Sequence, residues 1–375
     1  MLFAILEVLF GVSVSCFAKN EIHLDLPDQI EYHASSLFFL NSLSESNPTV
    51  IYVNPNKSKL KPPILFPDNR STDISVDPLL EKEYGLEKIG VQVAWQKTVG
   101  SESVVVAVLD SGIDYNHEDI SQNLWRNPNP SSELNDIIGY DFVNRDGLPY
   151  DDQRHGTHCA GIIGAVGDNG KGITGINKKV SIMALKVLDE TGQGDISAAI
   201  RAIDYAIQNG AKIINMSWSF NPGSTEALAF ERAIQRALEK GVLIIAAAGN
   251  ITSDNDQRPV YPASIQSENI VAVAATDQDD YLAKFSNFGR KSVHLAAPGF
   301  RIWSTLPENR YGSISGTSQA SPMVAGAAAL IWAKHPDWDF RQVKDLLLRS
   351  VERPAELSDK LITGGRLSLR HVFED

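Results

Sequence analysis

The sequence predicts an α/β protein of three layers, a mostly parallel central sheet with helices on both faces. Two observations predict it. Apolar runs of strand length recur after Asp77, most of them bounded by Gly, Asn or Asp. Helical repeats lie between several of these runs, and strands alternating with helices imply parallel pairing with both faces of the sheet covered.

Taken in order, the chain opens with "MLFAILEVLFGVSVSCFAKN", apolar through Ala18 and then polar. The run is too short, with Glu7 inside it, for a membrane span. Small residues before Ala18 fit a secretory signal peptide over residues 1–18, although no Lys or Arg precedes the apolar stretch. "SVSC" loosely resembles a bacterial lipobox, which would put a lipid anchor at Cys16. Residues 19–76 lack sustained periodicity. Their Pro- and Asn-dense stretch "NPTVIYVNPNKSKLKPPILFPDNRSTD" favours turns and extended chain, so the segment reads as a pro-segment or linker ahead of a domain over 77–375.

Within that domain the predicted buried strands are "SVVVAVLD", "VSIMALKVLD", "AKIINMSWS", "VLIIAAAGN", "IVAVAAT" and "SVHLAAPG". "DISAAIRAIDYAIQNG" predicts a helix with Ile196, Ala199, Ile200, Ile203, Ala206 and Ile207 on one stripe. Asp195 is its N-cap and Gly210 its stop. "STEALAFERAIQRALEKG" repeats the scheme up to Gly241. "MVAGAAALIWAKHP" is apolar all round, hence a buried helix ending before Pro336. Ser318 opens it, with Pro322 expected in the first turn.

The balance of charge narrows the partners. With 375 residues and a net charge of −12, the chain lacks the basic excess that nucleic-acid binding needs. No stretch beyond the N-terminus could span a bilayer. The two cysteines, Cys16 and Cys159, can form neither a disulfide framework nor a cysteine-rich metal site, and Cys159 reads as a small buried hydrophobe.

In parallel α/β sheets ligands and catalytic groups gather beyond the carboxyl ends of the strands. Asp110 ends "VVVAVLD", His155 opens "HGTHCAG", Asn250 ends "AAAGN" and Ser318 stands in "GTSQASP". Each has an ordinary reading by itself: a turn-capping Asp, a structural His, a turn Asn, a helix-capping Ser. Together they are the set that acyl transfer with a polarised carbonyl requires. The order Asp, His, Ser differs from that of α/β-hydrolases, and "HGTH" lacks the Glu of the zinc-protease motif.

These four motifs resemble those of the subtilisin-family (subtilase) serine proteases, in texture the thermitase-like bacterial members. The likeness runs from "DPLLEKEYGLEKIGVQVAW" to "GGRLSLRHV". It implies the subtilisin-like fold and a serine endopeptidase. Ser318 would be the nucleophile, His155 its general base, Asp110 the group that orients the ring, and Asn250 an oxyanion donor. His158 would be structural. The residue after the nucleophile, often Met in the family, is Gln319, which removes an oxidation hazard. Met323 replaces a family His outside the triad.

The resemblance also implies a substrate groove along Ser217, Trp218, Ser219, Phe220, Ala248 and Gly249. Ser219 and Phe220 stand where many members carry glycines, which reshapes the pocket. Ile251 beside Asn250 adds an expected preference for apolar side chains. A structural Ca²⁺ is implied, held by the side chains of Asp77, Asp119 and Asn169 and the carbonyls of Val166, Lys171 and Ile173. Oxygen ligands from distant segments suit calcium, though turn chemistry alone would also place Asp and Asn in such loops. "YDFVNRDG" resembles part of a second calcium loop through Asp141, Asn144 and Asp146. The expectation is a secreted or cell-envelope monomer that acts on proteins or peptides, made as an exported precursor whose pro-segment inhibits until cut. The rival readings are a catalytically silent fold used for binding and an esterase or peptide ligase using the same triad. Retention of all four site residues argues against the first.

Overall fold

The structure is a computed structural model that describes residues 13–16, 22–25, 61–65, 75–220 and 224–374. Most of the expected signal peptide, the Cys16 side chain and most of residues 19–76 lie outside the described residues. The chain divides into two units, Met1–Pro63 and Ile64–Asp375. In the first, β1 (Ser13–Cys16) pairs antiparallel with β2 (Ile22–Asp25).

The second unit holds, in chain order, α1 (Tyr84–Ile89), α2 (Val91–Trp95), β3 (Gly100–Asp110), β4 (Gly139–Asp141), α3 (His155–Gly164), β5 (Lys179–Lys186), α4 (Ile196–Gln208) and β6 (Ile213–Met216). Then come α5 (Ser224–Glu239), β7 (Leu243–Ala247), β8 (Ile270–Thr276), β9 (Leu295–Pro298), β10 (Ile302–Leu306), β11 (Arg310–Ile314), α6 (Thr317–Lys334) and α7 (Phe340–Arg349). Seven strands form one sheet in the order β4-β5-β3-β6-β7-β8-β9, every neighbouring pair parallel.

All six predicted apolar runs are strands of this sheet. Successive side chains on a strand point to opposite faces, so a strand between two helix layers must be apolar at every position. Val106, Val108, Ile182, Ala184, Ile213 and Ile245 pack in one core with α3 and α6, while Ala107, Leu109, Met183, Leu185, Ile214 and Ile244 pack in the other with α4 and α5. Fully burying an aliphatic side chain contributes about 1.5–3 kcal/mol, so these two layers dominate the stability.

Three features depart from expectation. β4 is a three-residue edge strand with no apolar run, and the β10–β11 hairpin was not foreseen. The α4 stripe is turned. Asp195 caps it through the Ser197 N–H, but the buried residues are Ala198, Ala199, Ala202, Ile203 and Ala206, with Ile196, Ile200 and Ile207 only partly covered. Alanines at the contact let the helix backbone approach its neighbours closely, and the isoleucines fill the margins. Among the described residues no helix is long and apolar enough to cross a membrane.

Candidate active site

β3 lies between β5 and β6, and its last residue is Asp110, fully buried. Asp110 Oδ1 accepts a hydrogen bond from the Ser111 N–H at 2.7 Å and from His155 Nδ1 at 2.8 Å. His155 begins α3, which sits tight against the Asp110 loop. A Cβ on Gly156 would stand 2.0 Å from the Gly112 carbonyl oxygen, so only glycine permits this approach. The preceding loop is fastened by the buried Asp151, which accepts from the Ser111 hydroxyl at 2.8 Å and the Thr157 N–H at 2.8 Å. Arg154, just before His155, is held at φ 96°, a conformation that costs a non-glycine residue about 1–3 kcal/mol.

Burial disfavours charge on His155, but the adjacent Asp110 carboxylate outweighs it, and the ring is held well above the usual imidazole value. His158 is the opposite case. Burial pushes it down to about 3, and its Nε2 donates to the Gly312 carbonyl at 3.2 Å, a structural tie to β11.

Ser318 is the second residue of α6, where backbone N–H groups have no intrahelical acceptor. Its hydroxyl donates to Gln319 Oε1 at 3.2 Å, and Gln319 Nε2 stands 3.5 Å from His155 Nε2. The expectation that Pro322 sits in the first turn was wrong. It lies deeper in α6, where its missing N–H leaves the carbonyl four residues back, that of Ser318, without a helical donor. The Cys159 thiol fills that gap, donating to Ser318 O at 3.4 Å, with its Sγ 3.9 Å from His155 Nδ1. Cys159 is fully buried, as a hydrophobe would be, yet its S–H joins α3 to α6. Burial pushes the thiol up, which keeps it protonated as a donor must be.

Asn250 is oriented by its oxygen. Oδ1 accepts from the Thr317 N–H at 2.8 Å and the Thr317 hydroxyl at 3.0 Å. That leaves the Nδ2 end for the pocket. A Cβ on Gly316 would meet Ser318 Oγ at 2.7 Å, Gln319 Oε1 at 2.9 Å and Asn250 Nδ2 at 3.4 Å, so the three groups converge on one point. The structure thus brings together Asp110 with His155, and Asn250 with Ser318. Gln319 is the link between the two pairs.

The residues expected to line a substrate groove follow the ends of β6 and β7. Asn215 donates to Ser217 Oγ at 2.9 Å and accepts from the Ser321 hydroxyl at 2.8 Å, which locks α6 to the end of β6. Trp218 Nε1 donates to the Leu109 carbonyl at 2.7 Å. Ser219 is exposed. The Phe220 backbone pairs with Tyr261, and its ring packs with Trp218, Phe230 and Tyr261. Ala248 is buried, and Gly249, at φ 109°, donates its N–H to Thr317 Oγ1 at 3.1 Å. Sequence reasoning missed Asn255 and Asn287. Both donate to the Ala248 carbonyl, and Asn287 Oδ1 receives the Ile251 and Ser253 N–H groups. Buried polar residues outside any motif were their only signal.

The residues expected to hold calcium also meet. Asp77 accepts the N–H groups of Asp168, Asn169 and Gly170 and the Thr174 hydroxyl. Asp119 accepts from Asn169 Nδ2 at 2.7 Å and from the Ile173 N–H at 2.9 Å, and its backbone carbonyl accepts the Val166 N–H. The Lys171 N–H donates to Asn169 Oδ1. Glu83, which sequence reading missed, is buried alongside and takes the Thr174 N–H. Burial raises Glu83 well above the usual carboxylate range and pushes Asp119 up to about 6. Among the described residues no Lys or Arg pairs with Asp77, Glu83 or Asp119, and the carbonyls of Val166, Lys171 and Ile173 accept no hydrogen bond. Buried carboxylates with hydrogen-bond donors but no cationic partner, together with those carbonyls, make an oxygen-only donor set that fits a hard cation. In the "YDFVNRDG" loop, Asp141 instead accepts the N–H groups of Val143 and Asn144, closing its own turn.

Comparison with known proteins agrees with this architecture. The profile of the subtilase family (Peptidase S8) matches residues 101–366. Thermitase from Thermoactinomyces vulgaris is 40% identical over 250 residues, covering 67% of this chain and 82% of its own. A thermophilic serine proteinase from Bacillus sp. (strain AK1) is 41% identical over 249 residues, 66% of this chain, which spans only 57% of that relative's length. Among solved structures, a cold-adapted subtilisin-like serine proteinase superposes with a TM-score of 0.61 at 30% identity, covering 76% of this chain and 97% of its own. With its seven-stranded parallel sheet and its matched profile, the chain belongs to the subtilase family of serine proteases.

Proposed function

We propose that this chain hydrolyses peptide bonds through an acyl-enzyme, with Ser318 as nucleophile, His155 as general base and Asp110 orienting the ring. The Ser318 hydroxyl attacks the peptide carbonyl and passes its proton to His155 Nε2. Asp110, bonded to Nδ1, selects the tautomer that leaves Nε2 basic and then stabilises the imidazolium. The developing oxyanion is met by Asn250 Nδ2 and the Ser318 N–H, at the positive end of α6. The imidazolium returns its proton to the leaving amine, and a water repeats the sequence on the ester. The observation that carries this reading is the 2.8 Å Asp110–His155 bond at the strand edge where Asn250 and Ser318 converge.

Casein digestion before and after treatment with phenylmethanesulfonyl fluoride tests it. Modification on Ser318 should stop digestion. Full digestion by fully modified protein would refute the assignment. Asn250→Leu, which removes one oxyanion donor, should lower kcat about 10²–10³-fold with little change in KM. That size is known from subtilisin itself. Equal losses in binding and turnover would argue against an oxyanion role.

Calcium, where present, would be held by Asp77, Asp119 and Asn169 with the carbonyls of Val166, Lys171 and Ile173. It would supply only charge compensation and loop closure. EDTA should lower the melting temperature by roughly 5–10 °C, as expected for loss of a ligand present well above its Kd. An unmoved melting curve would count against the site.

A further inference from the structure

We propose that Gln319 is a positioning residue that latches the resting triad open, its carboxamide inserted between the nucleophile and the base. The proposal rests on the triad reading above and goes beyond it. Gln319 is fully buried in the first turn of α6. Its Oε1 receives the Ser318 O–H at 3.2 Å, and its Nε2 stands 3.5 Å from His155 Nε2.

The protonation pattern is consistent around the chain of contacts. In the neutral ring, the form that acts as base, His155 Nδ1–H is committed to Asp110, so Nε2 carries the lone pair and accepts. The carboxamide N–H is the donor facing it, and the carboxamide oxygen is the acceptor facing the hydroxyl. One side chain therefore satisfies both partners of the bond that general-base catalysis needs, and each is turned away from the other. The amide has to swing aside before the hydroxyl can hand its proton to the ring.

Two modest hydrogen bonds bias such an equilibrium by about tenfold. Donation to Nε2 also favours the neutral ring, so removing the latch should move the His155 titration to higher pH. The other groups acting on the ring are Asp110 from β3 and Cys159 and His158 on its own helix, with Arg154 acting on His158. None is altered by substitution at Gln319.

The test is the rate of Ser318 sulfonylation by phenylmethanesulfonyl fluoride against pH, in the full chain and in Gln319→Leu and Gln319→Met. Both variants keep the bulk and lack the amide. In this reaction Ser318 Oγ bonds to sulfur, fluoride leaves and the proton goes to His155. The latch predicts a plateau rate about tenfold higher in both variants, with the pH midpoint displaced upward. Labelled Ser318 with rates within twofold and unmoved midpoints overturns the latch and leaves the triad standing. No labelling of Ser318 in the unaltered chain overturns the triad, and the latch with it. If neither variant folds, a crystal structure of the unaltered protein decides. Gln319 between Ser318 and His155 supports the latch; a direct Ser318–His155 bond with the amide turned away overturns it.

Discussion

Ser318→Ala should reduce casein hydrolysis to background, a fall in kcat on the order of 10⁶-fold, the size known from subtilisin itself when its nucleophile is removed. The fold should survive. The deleted oxygen makes one hydrogen bond, to Gln319, and such a bond contributes only about 0.5–1.5 kcal/mol net. The anchors of α6 are elsewhere: the Cys159 thiol on the Ser318 carbonyl, the Ser321 hydroxyl on Asn215, and an apolar surface buried from Ala320 to Trp332. A melting temperature within a few degrees of the unaltered chain, with no detectable hydrolysis, is the expected pair of results. Hydrolysis above a tenth of the original rate would remove Ser318 from the chemistry.

Asp110→Asn should lower kcat about 10⁴-fold while keeping the geometry, because an amide can donate to Nδ1 and so favour the unproductive tautomer. It should also shift the pH dependence. The carboxylate holds His155 well above the usual imidazole value, so the acid limb of kcat/KM should lie alkaline of about 6.5 in the unaltered chain and fall back in the variant. The same shift bears on stability. A histidine whose folded value is raised contributes stability that is fully present below its unfolded value near 6.5, about where free imidazole titrates. That contribution is lost as pH rises through the folded value. Thermal melts of the two proteins should therefore differ most in mildly acidic buffer and converge in alkaline buffer. A variant whose kinetic midpoint stays in place would show that Asp110 does not set the protonation of His155.

Much of this was legible before any coordinates. The sheet could be read because strands buried on both faces must be apolar throughout, and the candidate site because Asp110, His155, Asn250 and Ser318 each stand in a short motif. Contacts between motifs were not legible. That the Cys159 thiol serves the carbonyl orphaned by Pro322 depends on α3 lying against α6, which no local pattern encodes. The Gln319 contacts depend on the same pairing. Glu83 went unnoticed because a Glu in "LLEKEYG" looks like any solvated carboxylate until the chain folds over it. The α4 stripe was misjudged because hydropathy ranks Ile above Ala, whereas backbone approach selects the smaller residue.

The strand order has a kinetic corollary. β3 carries Asp110, yet one of its neighbours, β6, is made much later in the chain, and its partner His155 lies 45 residues on. His155 and Gln319 are separated by a further 164 residues. Parallel pairing over such distances makes the entropy of loop closure a leading contribution to the folding barrier, so this topology is expected to fold slowly. On the proposed mechanism, a chain made only as far as β11 still lacks Ser318 and so cannot hydrolyse its neighbours.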